Sequence, residues 1–244
     1  MNTPNHPPLG HHGTANHRHL HRSLHEANPE KELNPRQQEI IEAALELLGE
    51  KGIQELSLRD IAKRMGIKAP ALYWHFSSKE VLIDYIAEAI LQKELSGLRV
   101  REDSEPWQDW LTNHLTHLRA AMLAYPDGGR IVAGAHLYPA VTLAKSFECS
   151  LQSLRSAGLD LETARHIILT ATHYTFGHVI EEQAMPSAQQ FSAALEHDFF
   201  GSYPNLQAIM ERKKLSAADR DDDFAVGLGY IIKGSIISSD EPNN

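Results

Sequence analysis

Residues 34–80 carry helix starts and stops at close intervals, and this punctuation restricts the segment to short helices joined by tight turns. Asn34 precedes Pro35, a capping residue ahead of a residue suited to the first helical position. The apolar series Ile40, Ile41, Ala44, Leu45 and Leu48 follows at helical spacing, and Gly49 and Gly52 close it. Ser57 with Asp60 at the third helical position, flanked by Leu56 and Ile61, predicts a second start, and Gly66 stops it after Met65. A short third helix is expected over residues 69–75. Ser77 with Glu80, flanked by Phe76 and Val81, predicts a fourth helix carrying Leu82, Tyr85, Ile86, Ala89 and Ile90.

Two short helices joined through Gly66-Ile67-Lys68 form a helix-turn-helix pattern. The row Tyr73-Trp74-His75-Phe76 ends the second of them. A buried helix spaces its large groups three or four apart, so a contiguous row must present some of them outward. Leu72 and Phe76 are expected to anchor the helix, and Tyr73, Trp74 and His75 to meet sugar, phosphate and base edges. Arg59 and Lys63 are left outside, where phosphates would lie. The competing expectation is a plain three-helix bundle with Trp74 and Phe76 both in the core.

The charge distribution agrees with a DNA contact confined to this segment. The chain has a net charge of -9, yet residues 59–79 hold five basic side chains against Asp60 alone. Residues 81–244 hold 13 basic and 22 acidic side chains, so most of the chain repels polyanions. Residues 1–30 contain seven of the 15 histidines and four prolines with few large apolar residues, which reads as a disordered His-rich tail over 1–32. Arg18 and Arg22 in that tail are placed to reach along a DNA groove. The one cysteine, Cys149, admits no intrachain disulfide. No apolar run reaches the length of a membrane span, and the first residues do not read as a signal peptide. A cytoplasmic protein with no membrane partner is expected.

The remainder reads as helical. Trp107-Gln108-Asp109-Trp110 opens a helix through Leu111, Leu115, Leu118 and Met122, ended near Gly128-Gly129. A short helix is expected at 130–135, another from Pro139 to Gly158, and a long one from Leu161 to about Met185, capped by Asp160. Residues 188–200 are read as helical. The last helix, 224–237, carries Leu228, Ile231, Ile232 and Ile236 with Gly227, Gly229 and Gly234. Glycines weaken a helix unless a neighbour packs very closely. Gly227, Leu228, Ile231, Ile232 and Gly234 are therefore the candidate dimer interface, against the helix around 166–180.

These residues resemble the TetR-type transcriptional repressors, and specifically the branch of the tetracycline repressors. The resemblance covers 36–91 through IIEAALELLGEKGIQELSLRDIAKRMGIKAPALYWHFSSKEVL, then 105–135 through EPWQDWLTNHLTHLRAAMLAYPDGGRIVAGA. It continues over 158–183 through GLDLETARHIILTATHYTFGHVIEEQ and, more weakly, over 224–236 through FAVGLGYIIKGSI. It implies an all-α homodimer: a helix-turn-helix DNA-binding domain at 33–80 and an effector-binding and dimerisation domain at 81–240. The partners implied are a double-stranded DNA operator, a small-molecule effector and a second copy. The family's DNA-contacting positions fall on Arg59, Ala69, Pro70, Ala71, Tyr73, Trp74, His75 and Lys79, with Ser57 at a hydroxyl position near the backbone. Ala69 and Ala71 stand where the tetracycline repressors have glutamine and threonine, and Lys68 replaces an acidic residue. Two alanines favour thymine methyls, and Lys68 is suited to a guanine or a phosphate.

The implied effector pocket departs further. Val132 stands at the position of a magnesium-binding histidine, and Ala135 and His136 replace a threonine and an arginine. His114 and Leu118 replace a drug-contacting asparagine and phenylalanine, another histidine falls near Leu95, and only Glu181 is kept. Magnesium takes oxygen ligands and valine supplies none. The expectation is an altered pocket for a largely apolar or aromatic effector, with no metal and no cofactor.

An enzyme is the main rival, because His114, His117, His136, His166, His173, His178 and Glu181 are numerous. His173 and His178 are five apart and so about 140° apart on a helix. No HExxH pattern, nucleophile elbow or phosphate loop accompanies them. A helical scaffold would lack the outward aromatics and the local positive charge. An activator of the same fold is the nearer alternative to a repressor.

Overall fold

The computed structural model describes residues 33–184, 199–212 and 217–239. The expectations for the His-rich tail with Arg18 and Arg22, for Met185 and for 188–198 lie outside these residues. The described helices are α1 Pro35–Lys51, α2 Leu58–Arg64, α3 Ala69–Tyr73, α4 Lys79–Leu95 and α5 Trp107–Leu123. They continue as α6 Gly128–Ala133, α7 Val141–Ser156, α8 Leu161–Ala184, α9 Pro204–Arg212 and α10 Ala217–Ser239. The fold is all-α, with N-terminal helices of helix-turn-helix type and a C-terminal helical bundle.

Local signals account for most of the boundaries. Asn34 Oδ1 accepts from Gln37 N at 2.9 Å while Gln37 Oε1 accepts from Asn34 N at 3.1 Å, a reciprocal cap. Ser57 Oγ accepts from Asp60 N, and Gly66 follows α2 with φ of 66°. Asp160 Oδ1 accepts from Glu162 N and Thr163 N to start α8. Several boundaries differ from expectation: α3 ends at Tyr73 rather than His75, and α7 begins at Val141 rather than Pro139. Ser78, not Ser77, caps α4, its hydroxyl accepting from Val81 N. The short helix begins at Gly128, before Arg130. The last helix starts at Ala217, seven residues before Phe224, because the acidic run 221–223 lies within it.

One core runs through the whole assembly. Ile40, Leu48, Ile61, Leu72 and Phe76 are fully buried among α1 to α3, the head of the molecule, where Phe76 meets the Tyr85 ring edge-on at 5.4 Å. Leu82, Ile86 and Ile90 continue it along α4, and Leu111, Leu115 and Leu118 along α5. Each such side chain contributes about 1.5–3 kcal/mol of burial. α4 belongs to both halves: it packs against α1 on one side and α5, α6 and α7 on the other. α10 lies on α8 and α5, docked by Arg119. That guanidinium pairs with Glu182 at 2.8 Å and Asp221 at 2.6 Å and lies 5.2 Å over the Phe224 ring.

Two carboxylates interrupt the apolar side of α4, and both are buried. Asp84 Oδ1 accepts from the His136 backbone N–H at 3.0 Å, and His136 Nδ1 lies 3.1 Å from Asp84 Oδ2. Glu88 accepts from Thr142 N at 2.7 Å and from Thr142 Oγ1 at 2.8 Å. Ala140, the N-cap residue of α7, has no side chain able to cap it. Glu88 therefore caps α7 from another helix, satisfying a first-turn donor that would otherwise be orphaned. A second seam joins head and bundle at Asp127. Its backbone is left-handed, φ of 58°, and its carboxylate accepts from Ile53 N at 3.0 Å. Gly128 follows because a Cβ there would stand 2.0 Å from the Met122 carbonyl oxygen. No helix among the described residues is long and apolar enough to cross a membrane.

Glu88→Ala strands the Thr142 donors and should lower stability by about 2 kcal/mol in urea unfolding at fixed protein concentration. Glu88→Gln, which retains an acceptor, should recover part of that loss. Equal stability of wild type and Glu88→Ala would contradict the capping role.

Candidate nucleic-acid interface and effector cleft

α2 and α3 meet through the turn at Gly66, and their outer faces form one surface. Leu72 and Phe76 are at 0% and 1% exposure, while Tyr73 is 56% and Trp74 89% exposed. The split falls where the contiguous row required it, and Trp74 stands outside the core. Pro70 is exposed, Ala69 and Ala71 are partly so, and His75 is half-buried, its carbonyl accepting from Gln37 Nε2 at 3.4 Å. Arg59, Lys63 and Lys68 are exposed and carry no ion pair among the described residues. Arg64 is different: it bridges Glu46 and Glu50 of α1, so one cation of the basic segment is spent on the fold. Asp60 is neutralised locally. Its carboxyl is held below the usual range by the Ser57 hydroxyl at 2.7 Å and by Lys51. Ser57 is thus engaged in capping, and Lys79 Nζ donates to the Ile53 carbonyl at 3.4 Å, at the seam between head and bundle.

The effector residues expected together are dispersed. Leu95 and His114 line a cleft of about 160 Å³ between the end of α4 and the start of α5, with Trp110, Arg99 and Glu105. Leu118 and Val132 are fully buried and do not line it. Ala135 is half-buried, His136 is exposed against Asp84, and Glu181 is exposed on α8. His114 is committed to the fold: Nε2 lies 2.7 Å from Ser146 Oγ of α7, and its ring stacks on Trp110 with centroids 5.2 Å apart. Burial, and then the neighbouring His117, lower its pKa to about 4, so it is neutral at physiological pH. Among the described residues no group of three or more His, Cys, Asp or Glu side chains is arranged to hold a metal ion.

Most of the expected dimer residues face the inside of the protomer. Leu228 and Ile232 are buried in the protomer's own core, and Ile231 is partly buried against it. Gly227 does allow a close approach, but to Tyr174 of the same chain, whose hydroxyl would lie 2.2 Å from an added Cβ. The periodicity that marked these residues as apolar does not distinguish an internal partner from an external one. Of the expected set only Gly234 is exposed, beside Val226 at 54% and Tyr230 at 72% exposure. α8 also exposes one face, with Thr170, His173 and Gly177 exposed and Leu169, Phe176 and Ile180 half-buried.

Residues 40–86 match the family described as bacterial regulatory proteins, tetR family, and residues 101–236 match the tetracyclin repressor-like C-terminal domain. The chain belongs to the TetR family. It is 35% identical over 196 residues to the tetracycline repressor protein class A from transposon 1721 of Escherichia coli, covering 80% of this chain and 88% of that protein. It is 37% identical over 197 residues to the class C repressor of Escherichia coli, covering 80% and 88%. Among solved structures it resembles TetR (class A) in complex with 5a,6-anhydrotetracycline and magnesium, at 31% identity and a TM-score of 0.57, covering 81% of this chain and 95% of that one. A possible TetR family regulator from Streptomyces coelicolor A3(2) superposes with a TM-score of 0.70 at 28% identity, covering 81% and 97%.

In TetR-family terms, the first match covers most of α1 through the start of α4, and the second runs from the loop before α5 into α10. Both contact sets that hold α4 between them, Asp84 with His136 and Glu88 with Thr142, were missed in the sequence. A signal was present. Two acidic residues four apart on a helix repel one another unless each has a partner, and here both sit beside an apolar stripe. Ser146 and Asp127 carried no comparable signal.

His114 makes stability depend on pH with a definite sign. Its folded pKa lies below the unfolded value, so the unfolded chain takes up the proton first as pH falls. The contribution is complete above about pH 6.5, declines as pH falls and is gone near pH 4. Urea unfolding at pH 7, 5.5 and 4 should show wild type losing about 3 kcal/mol more than His114→Asn over that range. Parallel losses in the two proteins would contradict a buried neutral His114.

Proposed function

We propose that the chain is a homodimeric repressor that binds a palindromic operator and leaves it when a small, largely apolar or aromatic effector occupies the bundle. The coarser statement, a DNA-binding regulator of the TetR family with a ligand-responsive bundle, stands on the family matches. The observation that carries the DNA reading is the split within one short helix, Leu72 and Phe76 buried, Tyr73 and Trp74 exposed. Ala69, Pro70 and Ala71 present a small apolar edge suited to thymine methyls. Arg59, Lys63 and Lys68 supply phosphate contacts. The relatives named for tetracycline, and the complex with anhydrotetracycline and magnesium, support a small-molecule effector. Val132, buried at the position where the resemblance places a magnesium ligand, supports an effector bound without that metal.

The dimer uses the outward faces of α8 and α10, with Phe176, Ile180, Val226 and Tyr230 as its apolar contacts. Release runs through α4. An effector that favours a different position of the segment from Ala135 to Thr142, the loop after α6 and the start of α7, shifts α4 through Asp84 and Glu88, and with it the spacing of the two heads. A hundredfold preference for the spread form is about 2.7 kcal/mol, enough to release many operator complexes.

Footprinting on DNA flanking the protein's own gene is the direct test. Two protected half-sites about one helical turn apart, or a multiple of it, are expected. Equal protection of unrelated DNA at physiological salt would contradict the proposal. Trp74→Ala should leave stability unchanged and weaken operator binding on the order of tenfold. Arg59→Ala should reduce the slope of log affinity against log salt by about one.

Tyr230→Glu tests the dimer, since the side chain is exposed in the protomer and its loss should not harm the fold. Sedimentation should yield monomers, and operator binding should be lost because one head cannot span two half-sites. A variant that sediments as a dimer and binds normally would place the interface elsewhere.

A further inference from the structure

The cleft at the end of α4 has an electrostatic asymmetry that the effector reading leaves unused. Three formal charges line it: Glu94, Arg99 and Glu105. Arg99 Nη1 pairs with Glu105 Oε2 at 3.0 Å, and Glu105 also accepts from Glu102 N at 3.3 Å. This holds the Glu105 carboxyl below its ordinary range, Arg99 first among the causes, and it consumes the one guanidinium of the lining. Glu94 is exposed on the last turn of α4 and has no ion pair among the described residues. The floor is formed by the stacked pair Trp110 and His114, both more than nine-tenths buried. Burial holds the His114 imidazole neutral, with Nε2 against Ser146 Oγ, so it adds no positive charge to the floor.

The lining therefore offers an aromatic floor, one uncompensated carboxylate and no free lysine or arginine, His117 being its one remaining basic side chain. We infer that this cleft receives a protonated amine carried on an aromatic or apolar group, the ring against Trp110 and the ammonium at Glu94. The inference rests on the effector reading above and narrows it to cationic amphiphiles. An anion would meet Glu94 unscreened while Arg99 is already neutralised. A neutral ring would gain the floor and nothing from the rim. At about 160 Å³ the cleft is smaller than a pocket for a whole drug-sized molecule, so it accommodates one ring with a short chain.

Three probes with one ring and different charge separate these cases: phenethylamine, 2-phenylethanol and 3-phenylpropionate. Each is titrated into the full-length isotope-labelled protein, following the Trp110 indole N–H by NMR, in wild type and in Glu94→Gln. At low salt phenethylamine should bind about threefold or more tighter than 2-phenylethanol, with 3-phenylpropionate weakest. The preference should fade in 0.5 M salt and vanish in Glu94→Gln. Equal or tighter binding of 3-phenylpropionate, a preference that survives Glu94→Gln, or no shift of Trp110 with any probe would overturn the inference. Operator release measured in the same titrations separates it from the broader reading. Phenethylamine bound at Trp110 with the operator complex intact supports the cation site and removes this cleft from the effector reading. Release by 2-phenylethanol as readily as by phenethylamine keeps the effector reading and overturns the cation site.

Discussion

Two buried carboxylates on one helix hold the two halves of this protein in register. Asp84 and Glu88 lie on α4, whose beginning is built into the reading head and whose middle is built into the bundle. Buried carboxylates are costly unless several donors meet them. Here the donors lie on the loop after α6 and the first turn of α7 that it leads into: His136 N and Nδ1 for Asp84, Thr142 N and Oγ1 for Glu88. That segment cannot shift relative to α4 without giving up these bonds or carrying α4 with it. Asp127 adds an independent tie, from the bundle to the Ile53 amide of the head. A packed interface of this kind moves in discrete steps rather than by continuous deformation.

The same economy of charge shapes the DNA-facing surface. A basic segment on an acidic chain looks like five cations around one carboxylate, yet Arg64 is bound to two glutamates of α1. The remaining outward charges, Arg59, Lys63 and Lys68, flank the exposed Tyr73 and Trp74. The head therefore presents aromatic surface with a modest positive field. The rest of the chain is net acidic, which disfavours DNA there and suits the proposed contact through this one face.

The head was largely legible in the sequence because its signals are local. Caps at Asn34 and Ser57, the stop at Gly66 and the row from Tyr73 to Phe76 each act within one or two turns of helix. The shift from Ser77 to Ser78 at α4 is a one-residue ambiguity between neighbouring hydroxyls. The bundle was less legible, because its decisive contacts join residues far apart in the chain. Apolar periodicity put Leu228 and Ile232 on one face of the last helix, read as a dimer contact, and could not say that this face meets α8 and α5 of the same chain. The large apolar residues that this helix does expose among the described residues, Val226 and Tyr230, are too few to make a pattern. His114 stood out as a ligand candidate by chemistry, and only its proximity to Ser146 and Trp110 reveals its structural engagement. Asp84 and Glu88 showed a spacing that called for partners, but nothing local named His136 and Thr142.

The central claim is that contacts inside the bundle set where the reading heads stand. The most direct test is operator affinity in Asp84→Ala, a substitution of a buried residue that belongs to none of the candidate DNA-contacting positions. Urea unfolding in parallel should show that the variant remains folded and dimeric at the working concentration. The account predicts that operator affinity falls and that the heads respond less to effector. Operator affinity and effector response equal to wild type would contradict it, and would mean that α4 is positioned without the carboxylate clamp.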